Sequence, residues 1–199
     1  MSDNQFKDVY KLRDPEALRA YYDQWADSYD ADTMGHGYAT PDRCAAALIA
    51  VGTALNARIL DFGCGTGVSG QAMRARGFTD IDGADLSAEM LVGARAKGVY
   101  RTLRHVDASD PVPAGYDVIA AVGVISVGAA PPEVLDAILS ALAPGDRIVM
   151  SFNDHALADD QFPAKLDEVK AQGVAVIYDE YGPHLPGIGM KSRVYVLEK

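Results

Sequence analysis

The stretch RILDFGCGTGVSGQAM, from Arg58 to Met73, decides the fold. It opens on a short, mainly apolar run that leads to an acid, Asp61. Glycines follow at 63, 65 and 67, and a run with helical spacing begins behind them. A glycine-rich turn between a buried strand and a helix lets backbone approach a ligand, because glycine accepts the positive φ such turns need and carries no side chain. Gly65, Gly67 and Gly70 also match the G-x-G-x-x-G spacing that presents a helix N-terminus to a pyrophosphate. Asp61 opposes that reading. A carboxylate beside the turn repels an anion at low dielectric and attracts a cation such as an ammonium group. No Lys-Ser or Lys-Thr pair follows the glycines, which excludes a Walker phosphate loop.

Working outward, residues 57–61, 79–84, 99–106, 116–122 and 146–152 form short apolar runs, as expected of strands buried on both faces of a parallel sheet. Helical patterns lie between them, at 67–76, at 88–97 behind a capping Ser87, at 132–142 behind Pro131, and at 160–171. The alternation predicts a doubly wound, mostly parallel α/β sheet. The end of the chain differs. The segments VAVIYDEY and KSRVYVLEK are joined by 182–190, a glycine- and proline-rich connection with no room for a crossover helix, so they are expected to form an antiparallel hairpin. Before the first strand, Asp14 and Pro15 open a helix whose Leu18, Tyr22, Trp25 and Tyr29 share one face, and Thr40 and Pro41 open a second. The expectation is one domain over 1–199, with 1–55 as an N-terminal helical cap or lid and 56–199 as the cofactor-binding sheet.

Composition narrows the class. Of 199 residues, 49% are hydrophobic, ordinary for a globular chain. No apolar run approaches a membrane span, and the polar, acidic first 30 residues read as no signal peptide. Cys44 and Cys64 read as free thiols of a reducing cytoplasm. A net charge of -10 disfavours nucleic acid and anionic membrane. The densest cationic stretch, Arg95, Lys97, Arg101 and Arg104, reads as solvated surface. No histidine pair has metal-ligand spacing, so no metal is expected.

Three acids, Asp61, Asp85 and Asp107, end three successive strands at the edge where open α/β sheets bind ligands. They suit a ligand with an ammonium, a ribose and an adenine but no phosphate, and S-adenosyl-L-methionine is such a ligand. LDFGCGTG resembles motif I of the class I S-adenosylmethionine-dependent methyltransferases, GADLSAEML resembles their second motif, and Asp107-Ala108 and YDVIAAVGVIS resemble the later ones. More narrowly, YDQWADSYDAD with VGVISVG resembles the methyltransferase-like proteins named after the Williams–Beuren syndrome region. The resemblance implies a Rossmann-like seven-stranded sheet. It also implies that Asp61, Gly63 and Gly65 line the methionine part of the cofactor and that Asp85 takes the ribose. Leu86 would pack on the adenine, Asp107 and Ala108 would meet its edge, and Val122 and Gly123 would lie near the methyl group. Tyr29, with Tyr22 and Trp25, would cover the sulfonium. After the fourth strand only Ser126 is polar. Catalytic candidates are therefore Ser126 and three histidines able to reach a substrate cleft, His36, His155 and His184, whereas His105 reads as structural. The expected activity is methyl transfer to a small-molecule acceptor, which the sequence does not identify. The alternatives are an NAD(P)-dependent oxidoreductase and a non-catalytic S-adenosylmethionine-binding regulatory module.

Overall fold

The computed structural model describes residues 8–10, 12 and 14–199. The remaining N-terminal positions of the expected cap, 1–7, 11 and 13, lie outside the described residues. One seven-stranded sheet runs through the molecule in the order β3-β2-β1-β4-β5-β7-β6. Its strands are β1 Arg58–Phe62, β2 Asp80–Asp85, β3 Leu103–His105, β4 Val118–Ala121, β5 Arg147–Asn153, β6 Ala175–Leu185 and β7 Met190–Glu198. The first five pair in parallel. β7 pairs antiparallel with both β5 and β6, which is the expected terminal hairpin.

The central strands β1, β4 and β5 are apolar on both faces because successive side chains feed two different cores, whereas β3 and most of β6 are exposed. Ile59, Val118 and Val149 point to one side, where they meet Cys44, Ala45 and Leu48 of α2 (Thr40–Ala50) and Met73 of α3 (Val68–Ala75). Leu60, Ile119 and Ile148 point to the other, where they meet Leu135, Ile138 and Leu139 of α5 (Val134–Ala141) and Phe162, Leu166 and Val169 of α7 (Gln161–Ala171). Strand order reverses between β1 and β4, so the carboxyl ends of β1, β2 and β4 border the crevice where such sheets take ligands.

Local signals set the helix starts. Asp14 accepts from Ala17 N at 2.8 Å and opens α1 (Pro15–Gly35). Ser87 accepts from Met90 N at 3.0 Å and opens α4 (Ala88–Lys97). The main departure from expectation is β3, which has three residues instead of the run 99–106. Residues 101 and 102 still reach β2 through single bonds, Arg101 N to Ile81 O and Gly83 N to Thr102 O. Tyr100, however, turns its ring toward the glycine turn, so the regular ladder begins only at Leu103. A short helix, α6 (Asp154–Ala158), capped by Asn153, was not expected. Among the described residues no helix is long and apolar enough to cross a membrane.

Candidate functional site

The glycine turn leaves β1 with positive φ at Gly63, Gly65 and Gly67 (69, 53 and 93°), a region side chains rarely adopt. Gly63 N and Cys64 N both donate to Ala84 O, at 2.8 and 3.0 Å, which folds the turn back against β2. A Cβ at Gly65 would meet nothing within 4 Å, so the turn opens onto free space there. Gly70 has a different reason. A Cβ there would stand 2.4 Å from the Tyr100 ring, so the dinucleotide-like spacing is completed by a glycine that makes room for a tyrosine.

That tyrosine serves Asp61. Oδ2 of Asp61 accepts from Ser69 Oγ at 2.6 Å and from Tyr100 OH at 2.7 Å. Oδ1 is buried without a hydrogen-bond partner. Burial pushes the carboxyl up to about 6, with the Ser69 and Tyr100 bonds opposing the rise. A buried carboxylate with an unused oxygen is costly unless a donor or cation reaches it, and an ammonium group fits that need. Asp85, at the end of β2, accepts from Gly65 N through Oδ2 (2.7 Å) and from Ser87 N through Oδ1 (2.8 Å). Burial raises its carboxyl, and the backbone donors counteract this. One acid thus fixes the second glycine of the turn and the start of α4 together.

The other expected cofactor residues are more dispersed. Leu86 is half-buried, and its carbonyl lies 2.9 Å from His105 Nε2. Asp107 and Ala108 are exposed, beyond the end of β3. Val122 packs into the core, and Gly123 N donates to Ser151 Oγ at 3.1 Å. A Cβ at Gly123 would stand 2.7 Å from the Tyr38 hydroxyl, which explains the glycine after β4.

Beyond Gly123 lies a cavity of about 60 Å³, lined by Tyr22, Trp25 and Tyr29 of α1 together with Tyr38, Ser126 and His184. No Asp, Glu, Lys or Arg is among its described lining residues. The aromatic face of α1 is docked. Trp25 is buried and gives its Nε1–H to Asp32 at 2.8 Å, and Tyr22 OH donates to Gly128 O at 3.3 Å. Asp30 latches the helix to the site, accepting from Thr66 Oγ1 in the glycine turn and pairing with Lys97 of α4. Lys97 also donates to Thr66 O at 2.7 Å. One member of the cationic stretch therefore holds the cap. Burial keeps Tyr22, Tyr29 and Tyr38 protonated by raising each hydroxyl well above its ordinary value.

Of the four catalytic candidates, the cavity includes Ser126, whose buried Oγ has no partner, and His184. His36 closes the end of α1 against Gly187. His155 is exposed on α6, its ring 4.0 Å from that of Tyr10. His184 is held through Nδ1, 2.8 Å from Thr40 Oγ1, and burial pulls its imidazole down to about 4. Thr40, Tyr38, Asn153 and Tyr100 were not singled out from sequence. In the sequence Thr40 reads only as a helix start. Among the described residues no group of three or more His, Cys, Asp or Glu is placed to hold a metal ion.

Comparison with known proteins agrees with this architecture. The sequence profile of the family described as methyltransferase domain matches residues 37–180. Human Methyltransferase-like protein 27 is 36% identical over 117 residues, 56% of this chain and 48% of that protein; it fits the narrower resemblance. Ubiquinone biosynthesis O-methyltransferase of Xylella fastidiosa is 31% identical over 109 residues, 51% of this chain and 44% of that protein. The chain thus spans about half the length of the curated relatives it matches. Magnesium protoporphyrin IX methyltransferase from Synechocystis, solved with bound S-adenosylhomocysteine, shares the fold at TM-score 0.70 and 20% identity, over 94% of this chain and 100% of that one. The chain belongs to the methyltransferase-domain family, with the fold of the class I S-adenosylmethionine-dependent enzymes.

Proposed function

We propose that the protein transfers a methyl group from S-adenosylmethionine to a small-molecule acceptor, and that the whole chain acts as one domain with residues 1–55 as its cap. The observation that carries this reading is the unpartnered, buried Oδ1 of Asp61 beside a glycine turn that opens onto free space. When bound, the cofactor supplies an electrophilic methyl group on a sulfonium. Asp61 holds the ammonium end. Asp85 already fixes Gly65 and Ser87 by backbone bonds and keeps lone pairs for the two ribose hydroxyls. Leu86, Asp107 and Ala108 border the adenine. Val122 and Gly123 border the methyl group, and the rings of Tyr22, Trp25 and Tyr29 face the cation, an attraction of roughly 0.5–2 kcal/mol per ring. The docked α1 excludes water from the reacting atoms, and positioning by the cavity does the rest. No charged side chain is among the described residues that line the cavity, which supports a small organic acceptor.

Titration calorimetry tests the reading. S-adenosylhomocysteine should bind and NADH should not. Binding of NADH without binding of S-adenosylhomocysteine would replace it with the oxidoreductase alternative.

A further inference from the structure

We infer that the acceptor enters the cavity with its reactive oxygen already ionised, as a small carboxylate or an acidic phenol or enol, and that His184 receives this oxyanion as a neutral Nε2–H donor. The inference rests on the methyltransferase reading.

The direction of a buried hydrogen-bond chain fixes the tautomer. Arg43 is a donor only, and its Nη1 gives a hydrogen to Ser192 Oγ at 3.0 Å. Ser192 is fully buried, and the acceptor within reach of its own hydroxyl proton is Thr40 Oγ1, at 2.8 Å. Thr40 is equally buried, and its proton then goes to His184 Nδ1, at 2.8 Å. The opposite direction would leave the proton of the fully buried Ser192 without a protein acceptor, which is the expensive outcome. Nδ1 therefore accepts, and the single proton of the neutral ring sits on Nε2. That nitrogen has no protein partner among the described residues, and the ring lines the cavity.

The neighbouring groups have the same polarity. Asn153 uses its Oδ1 to cap α6, accepting from Ala156 N at 3.0 Å, so its amide hydrogens remain to be given. Ser126 Oγ is buried and unpartnered in the same cavity. The hydroxyls of Tyr29 and Tyr38 are held protonated by burial, while Tyr22 gives its own proton to Gly128 O. The described lining residues thus offer donors, with no carboxylate and no free imidazole nitrogen among them to take a proton. In the transfer, an oxygen lone pair forms the new O–C bond, and the electrons of the C–S bond leave with sulfur as a neutral thioether. An acceptor arriving as O–H would have to shed a proton here. One arriving as an oxyanion gives a neutral ester or ether with no proton left over.

The experiment is 15N NMR of histidine-labelled protein loaded with S-adenosylhomocysteine, titrated with benzoate in one arm and 4-nitrophenolate in the other. The charged or titratable groups facing His184 are Arg43, Asp154, His155 and Tyr38, whose ring stands edge-on at 5.2 Å, and with them in place the ring should stay neutral and Nε2-protonated between about pH 5 and pH 8. At least one anion should shift the Nε2–H signal, and the responding arm identifies carboxylate or phenolate. Neutral benzamide should leave it unmoved. Thr40→Val, which removes the relay at similar volume, should produce a Nδ1–H population and weaken binding of that anion by about tenfold. A Nδ1–H wild-type ring, an imidazolium in this range, or indifference to both anions while S-adenosylhomocysteine binds would overturn the inference. Failure of S-adenosylhomocysteine to bind would instead overturn the methyltransferase reading, and the wild-type spectrum would still decide the tautomer.

Discussion

Replacing Asp61 with asparagine should strengthen the fold and weaken the site at once. The carboxyl is raised from 3.8 to about 6 by burial. A difference of about two pH units, at about 1.36 kcal/mol each, makes the ionised form roughly 3 kcal/mol less favourable in the folded protein than in the unfolded chain. The folded value lies above the unfolded one, so the contribution to stability is present at low pH and lost as pH rises through about 6. The bonds from Ser69 and Tyr100 are already contained in that value. Asparagine stays neutral, keeps one oxygen toward those two donors and places its amide where Oδ1 stood. In urea titrations without ligand, the variant should exceed the wild type by up to roughly 3 kcal/mol at pH 8, with the gap closing as pH falls from about 6 toward 4. Its affinity for S-adenosylhomocysteine should fall about 10- to 100-fold, because a hydrogen bond to a charged partner is replaced by an amide facing an ammonium. A variant that is less stable at pH 8 and binds as tightly as wild type would refute both the charge assignment and the role.

Gly70→Ala should destabilise the protein by about 1–3 kcal/mol, since its Cβ would overlap the Tyr100 ring. Ultraviolet resonance Raman should also show the Tyr100 hydroxyl freed from Asp61, and an unchanged melting curve would contradict the packing. Asp85→Ala should cost about 1.5–3 kcal/mol in S-adenosylhomocysteine binding, and Asp107→Ala less; calorimetry giving Asp85→Ala an affinity within about a factor of two of wild type would remove the ribose role. Asp30→Ala should speed hydrogen exchange throughout α1, with a stability change of about 1 kcal/mol for a pair whose carboxylate is half-exposed and whose lysine is largely buried. Unchanged exchange would mean that the aromatic face alone holds the helix.

What could be read in advance depended on whether the signal was local. Ile59 and Leu60 serve opposite cores, so β1 has no alternating polar face, and continuous apolar runs of this kind marked the parallel strands. Asp14 and Ser87 act within three residues of themselves, and their helices began where expected. The turn glycines were visible by spacing, but the reason for Gly70 was not, since it lies in the ring of Tyr100. The same holds for the cavity. The stripe on α1 showed in its periodicity, whereas Tyr38 sits on a joint without periodicity. The chain from Arg43 through Ser192 and Thr40 to His184 joins α2 to the terminal hairpin, and no pattern of residues encodes such a crossing. Asp30 and Lys97 likewise meet only once the cap has folded over the sheet. His155 falls on the unexpected helix α6, exposed beside the ring of Tyr10, which lines the cavity while His155 does not.

A crystal structure of the protein with S-adenosylhomocysteine bears most directly on the central claim, that the acids at the ends of β1 and β2 hold this cofactor. The expected result is the ligand ammonium within hydrogen-bond distance of Asp61 Oδ1 and both ribose hydroxyls on Asp85, with the sulfur beside Gly123 and directed toward the cavity that contains His184. A ligand bound elsewhere, or one seated here with Asp61 Oδ1 still unpartnered and the ribose away from Asp85, would contradict it.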